Sequence, residues 1–208
     1  MSALDRGRSS ELLAVRAASG LIESGRHSTH FQVQKWDTDQ MGWTSRKLDL
    51  NPRIEPSRRH FEAVKVKPFE VYDKPDCNKV TDGGWNLLMK NVAGSAGTLF
   101  SGSVGRIGSG DSSTAVAYTD TALNAATNKV YNPLSGAPTV GSTHSAGLIF
   151  AATFAVGDAN WSWQEFGVDQ GTSQSTTVAA VFFSHGLATP GTKTSSQTWN
   201  VTVTITWL

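Results

Sequence analysis

Asp158 and Glu165 stand seven positions apart, with Trp161 and Trp163 between them. Two carboxyl groups facing each other across a cleft can hydrolyse a glycosidic bond, and flanking tryptophans can stack on sugar rings. The same residues also describe a Gly157-Asp158 turn followed by a strand whose tryptophans fill a core, and that is the reading carried forward. Other chemistry is thinner. His27 and His30 have a metal-ligand spacing if they share a helical face, but no third histidine is near. His60, His144 and His185 stand alone. Cys77 is the one cysteine, which excludes an internal disulfide and any Cys-based zinc site. Gly105-Arg-Ile-Gly-Ser-Gly-Asp111 is glycine-rich but lacks the Lys-Ser/Thr ending of a phosphate loop, so a β-turn is expected there. Gly-x-Ser-x-Gly is absent. Neither an enzyme nor a cofactor or metal is therefore expected.

The elements that must position these residues fall into two regimes. Residues 1–82 carry 26 charged side chains, whereas residues 83–208 carry only nine. The formal net charge of +1 gives no general reason to coat nucleic acid. Twelve acidic residues interleave the arginines of the first part, so salt bridges between subunits are their expected use. No run of about 18 apolar residues offers a membrane span. The first residues lack the apolar core of a signal peptide, which points to maturation in a cytoplasm.

Residues 1–77 read as an extended anchoring arm, with a short helix near 9–24 capped by Ser9 or Ser10 and carrying Leu12, Leu13, Val15, Leu21 and Ile22. Beyond it, prolines at 52, 56, 68 and 75 punctuate a stretch without sustained periodicity. Its large side chains still need burial, so the arm is expected to lie along another polypeptide. Its expected partner-binding anchors are Phe31, Trp36, Trp43, Phe61, Val64, Val66 and Phe69, with 61–69 added as a strand to a partner's sheet.

Residues 78–208 read as a β-sandwich or jelly roll, mainly β with one or two short helices. Thr81 or Asp82 caps a helix whose Trp85, Leu88, Met89 and Val92 share a face, and Gly94 stops it. A short strand is expected over 103–108, a single helical turn over 120–127, and strands over 148–154, 161–168 and 177–183. The clearest pattern is Trp199-Asn-Val-Thr-Val-Thr-Ile-Thr-Trp207, which alternates apolar and polar residues throughout.

Three runs then suggest a family: Asn78-Lys-Val-Thr-Asp-Gly-Gly-Trp-Asn-Leu-Leu, Val104-Gly-Arg-Ile-Gly-Ser-Gly-Asp-Ser-Ser-Thr-Ala and Thr119-Asp-Thr-Ala-Leu-Asn-Ala-Ala-Thr. With the later runs from Phe150 to Val168 and from Phe183 to Ile205, they resemble a group of tailed-bacteriophage virion structural proteins, described as minor capsid or tail-associated. The similarity covers residues 78–208 and carries no catalytic residues. It implies a chain assembled in the bacterial cytoplasm and located in the virion. Its partners would be capsid or tail subunits and further copies of itself, with no membrane and no specific nucleic acid. A head decoration or minor capsid protein is the expected role. The alternative is a tail fibre or spike module whose loops near Trp161, Trp163 and His185–Pro190 bind a host glycan.

Overall fold

Residues 27–95, 98–141 and 147–207 are described by the computed structural model. The helix expected near 9–24 and His144 lie outside the described residues. Within them the chain is mainly β, built as two antiparallel sheets of five strands.

Strand β1 (His27–Asp37) forms because Thr29, Phe31 and Val33 alternate with His30, Gln32 and Gln34, so one face can be buried. Residues 27–77 therefore belong to the sandwich and its flanking helices and not to an extended arm. β1 is an interior strand, flanked by β2 (Glu70–Pro75) and by the last strand of the chain. After β2 the chain crosses to the second sheet as β3 (Asn78–Val80), β4 (Arg106–Gly110) and β5 (Lys129–Pro133). It returns to the first sheet as β6 (Thr139–Val140) and β7 (Gly147–Phe154). It crosses again as β8 (Ser162–Asp169) and β9 (Phe182–Thr192), and ends in the first sheet as β10 (Gln197–Trp207). The strand orders are β2-β1-β10-β7-β6 and β3-β9-β8-β4-β5.

The inner faces meet in one apolar core. Phe31 and Val33 of β1, Phe150 and Phe154 of β7, and Trp199, Val201, Val203 and Ile205 of β10 face Ile107, Trp163, Phe166, Val168 and Phe183 of the second sheet. Phe31 stacks on Phe166 with centroids 3.9 Å apart. Trp163 packs between Phe154 and Trp199, at 4.7 and 5.0 Å. Lys35 is also inward. Its stem is buried, its Nζ lies 4.7 Å over the Trp199 ring, and it donates to the Pro190 carbonyl (2.5 Å) and to Glu70 (2.6 Å).

Three α-helices occur among the described residues. α1 (Thr38–Lys47) starts at Asp37, whose carboxylate accepts from the Gln40 N–H (2.9 Å) while the Gln40 side chain accepts from the Asp37 N–H (3.2 Å). α2 (Arg58–Ala63) occupies part of the stretch expected as a strand over 61–69. Ser57 N–H donates to His60 Nδ1 (3.0 Å), and the Phe61 ring stacks on Trp36 at 4.5 Å. With Met41, these two rings form a second small core outside the first sheet. α3 (Asp82–Val92) has the expected cap, Thr81 Oγ1 accepting from the Gly84 N–H (3.1 Å). Its buried side differs from the expected one: Gly84 and Leu87 are buried and Trp85 and Leu88 pack on the core, whereas Met89 and Val92 face solvent. Residues 120–127 form no helical turn, and the strand expected over 177–183 begins only at Phe182.

Removing β1 would expose both β10 and the core. A chain beginning at residue 78 is expected to show no cooperative unfolding transition by circular dichroism, while one beginning at residue 27 unfolds as the full chain does. Phe31→Ala is expected to cost about 3–5 kcal/mol in chemical denaturation.

Candidate functional site

On the outer side of the second sheet, cross-strand register collects ionisable residues that the chain has far apart. Arg106 lies opposite Asp169, Gly110 opposite Glu165, and Gly167 opposite His185. The segments 111–128 and 170–181 cover them, so these charges are buried. Gly108 and Gly110 of the glycine-rich run are explained here. A Cβ on Gly108 would strike the Tyr131 ring, and one on Gly110 would strike the Glu165 carboxylate. This run is a strand with a flattened outer face, and its glycines make room for the chain's own side chains.

His185 sits between two carboxylates. Its Nδ1 is 2.6 Å from Asp120 and its Nε2 is 2.8 Å from Glu165. Both ring nitrogens are thus engaged by carboxylates, and backbone donors add to the hold. Glu165 accepts from the N–H groups of Asn124 (2.8 Å) and Ala125 (2.6 Å), and Asp120 accepts from that of Ala117 (2.8 Å). Lys79 donates to the Val116 carbonyl at 2.8 Å. Together these groups clamp segment 111–128 to the sheet.

A second clamp holds segment 170–181. Arg106 grips Asp169 with two nitrogens and donates to the carbonyls of Ser173 and Thr177, both at 2.9 Å. Asp169 also accepts from the Ala179 N–H at 2.9 Å. Arg106 lies 5.0 Å over the Tyr131 ring, and burial raises the Tyr131 hydroxyl above its ordinary pKa.

The carboxylates expected as a possible pair belong to separate networks. Asp158 accepts from Asn132 and Gln174 (both 2.7 Å) and from the Ala155 N–H (3.0 Å), as a turn residue does. Glu165 is held by His185 and segment 111–128. Trp163 is 1% exposed and its indole donates to the Ala159 carbonyl (2.9 Å), so it cannot stack on a sugar. His185 is likewise buried, and Pro190 too, which removes most of the loop surface expected to touch a glycan. His27 and His30 lie in strand β1 and not on a helix, and His30 pairs with Asp73.

The seven expected anchors divide. Phe31, Trp36 and Phe61 are buried in the chain's own cores and cannot enter a partner. Val64 and Val66 are half-buried, Val66 against the Trp36–Phe61 cluster. Trp43 and Phe69 are 43% and 47% exposed. Of the expected arm arginines, Arg58 pairs with Glu62 of its own helix at 2.7 Å.

One buried cation lies apart from these networks. Lys193, between β9 and β10, donates to the Ala155 carbonyl (2.5 Å) and to Asn160 (3.1 Å). Burial pushes its pKa down to about 8, with Asp158 and Glu55 partly opposing the shift. Burial also pushes the Cys77 thiol up to about 11. Compared with protein-family models, with curated proteins and with solved structures, the chain matches none.

Glu165→Gln leaves His185 and two backbone donors short of a charged partner. It is expected to cost about 3–5 kcal/mol and to open segment 111–128 to protease before global unfolding. Lys193 gives a pH signature. Below pH 8 it is protonated folded and unfolded. Above pH 8 the folded form sheds the proton that the unfolded chain keeps until about pH 10.5, so stability rises with pH. From about pH 9 the unfolded chain ionises Cys77 while the folded chain does not, and this opposes the rise. Urea midpoints of the native chain are therefore expected to climb between pH 8 and 9, by on the order of 1 kcal/mol, and those of Lys193→Met to stay flat.

Proposed function

We propose that the chain is a structural subunit of a tailed-bacteriophage virion, a head decoration or minor capsid component, fastened to neighbouring subunits through residues 1–26. One observation carries this reading. The ionisable residues of the second sheet spend their hydrogen-bonding capacity on the chain's own loops, which suits a rigid module better than a reaction site. The runs that resemble the phage family serve that rigidity. Asn78–Leu88 builds β3 and most of α3, Val104–Ala115 contains β4, and Thr119–Thr127 carries Asp120, Asn124 and Ala125 into the His185 clamp.

The gripping role falls to residues 1–26 because 27–77 are spent on the sandwich. The leading residues carry the expected short helix near 9–24, whose leucines, valine and isoleucine stand between arginines. Phe69 and Val71, both about half exposed at the start of edge strand β2, offer a second contact for a neighbouring strand. In a repeated assembly such modest contacts add through avidity.

Density-purified particles are expected to contain the full chain by mass spectrometry. A chain beginning at residue 27, supplied in trans in place of the native one, is expected to fold but to be missing from them. Absence of the full chain from purified particles would overturn the virion assignment. Normal incorporation of the shortened chain would overturn the anchoring role of residues 1–26.

A further inference from the structure

Two choices along α1 cost stability and neither is explained by the sandwich. Gly42 sits in the helix interior, where glycine is about 1 kcal/mol worse than alanine. A Cβ there would meet only the Arg46 Nη1, at 3.3 Å, so no packing demand excludes alanine. The next residue, Trp43, is 43% exposed although α1 buries Met41 and Thr44 on its other side. Local rules broken together at one place mark a functional surface.

That surface is a groove. Thr38, Asp39, Gln40, Gly42, Trp43 and Arg46 line it from α1, and Val66 lines it from the turn after α2. Its volume is about 670 Å³, within the range of small-molecule sites. Asp39, Trp43 and Arg46 follow at i, i+4 and i+7, so they form one stripe along the helix. Gln40 is occupied, donating to the Lys67 carbonyl (2.8 Å) and accepting from Asp37, and Thr38 donates to the Ser196 carbonyl (2.9 Å). The Asp39 carboxylate, the Trp43 indole and the Arg46 guanidinium make no hydrogen bond or ion pair among the described residues. The groove thus offers a flat aromatic face, a charged acceptor, a forked donor, and a floor kept open by a missing side chain.

We propose that this groove binds a neutral saccharide, the Trp43 indole stacking on the apolar face of a sugar ring while Asp39 accepts from its hydroxyls and Arg46 donates to them. A sugar alternates a C–H face with hydroxyl edges, and these three groups, unengaged among the described residues, match both parts. One carboxylate and one guanidinium leave the stripe without net charge, which disfavours phosphate or an acidic sugar. Protein hot spots need a desolvated apolar centre, and here only Trp43 and Val66 among seven lining residues are large and apolar. The inference does not depend on the virion assignment.

A printed array of bacterial surface oligosaccharides tests it with the purified chain, followed by tryptophan-fluorescence titration of the neutral members that bind. Trp43→Ala is expected to abolish binding and Asp39→Asn to weaken it about tenfold. Gly42→Ala separates the groove from mere packing. It should raise the unfolding temperature, by improving the helix, and weaken binding several-fold, by filling the floor. The proposal is overturned if no neutral oligosaccharide binds, if only acidic ones do, if Trp43→Ala or Gly42→Ala binds as the native chain does, or if the groove captures a virion subunit instead.

Discussion

Pairing of β1 with β10 along eleven residues is the constraint on which the rest of the molecule depends. It joins residues about 170 positions apart and sets Phe31 opposite Val203 and Val33 opposite Val201, inside the core. Four crossings between the sheets follow from it, because every strand between must reach one sheet or the other without leaving an inner face open. Such long-range pairing is slow to form and yields little until it is nearly complete. The first strand is thus as necessary as the last, despite the charge-rich sequence around it.

A second consequence concerns the outer side of the second sheet. An ordinary sandwich leaves that face to water. Here two long segments, 111–128 and 170–181, lie on it, and their backbone groups need partners where water is excluded. Apolar residues could not supply them. The buried Glu165, Asp169 and Arg106 and the partly exposed Asp120 do, each facing backbone N–H or carbonyl groups of the covering segments, with His185 holding two of the carboxylates apart. The few charges in this part of the chain are concentrated where loops must be fastened, and the exposed faces are left to threonine and serine.

Much of this was legible in the sequence and some was not, for local reasons. β8 and β10 follow from alternation, β7 from an apolar run and α3 from helical spacing with a cap. β1 carries the same alternation over Phe31-Gln-Val33-Gln, but Lys35 follows at an inward position, and a lysine there reads as solvent until Pro190 and Glu70 are seen to satisfy it. Phe61 to Phe69 alternates like a strand, yet Phe61 is needed against Trp36, and Ser57 with His60 starts a helix that delivers it. The His185 clamp could not be read from spacing, since its carboxylates lie 20 and 65 residues away, Glu165 brought in by the β8–β9 register and Asp120 by the covering segment 111–128.

Glycines show how the structure separates architecture from function. Those at 108 and 110 read as a glycine-rich β-turn in the sequence, and each is accounted for by a side chain of the same molecule lying against its backbone in a strand. Gly42 attracted no notice in the sequence, and no close packing accounts for it, since the one neighbour a methyl group would meet is the far end of the Arg46 side chain. A glycine that the fold requires contributes through close approach. One that the fold does not require lowers helix stability without structural return, and beside an exposed tryptophan its remaining physical effect is to leave a surface concave. The buried carboxylates already hold their partners, whereas Asp39, Trp43 and Arg46 on α1 make no hydrogen bond or ion pair among the described residues.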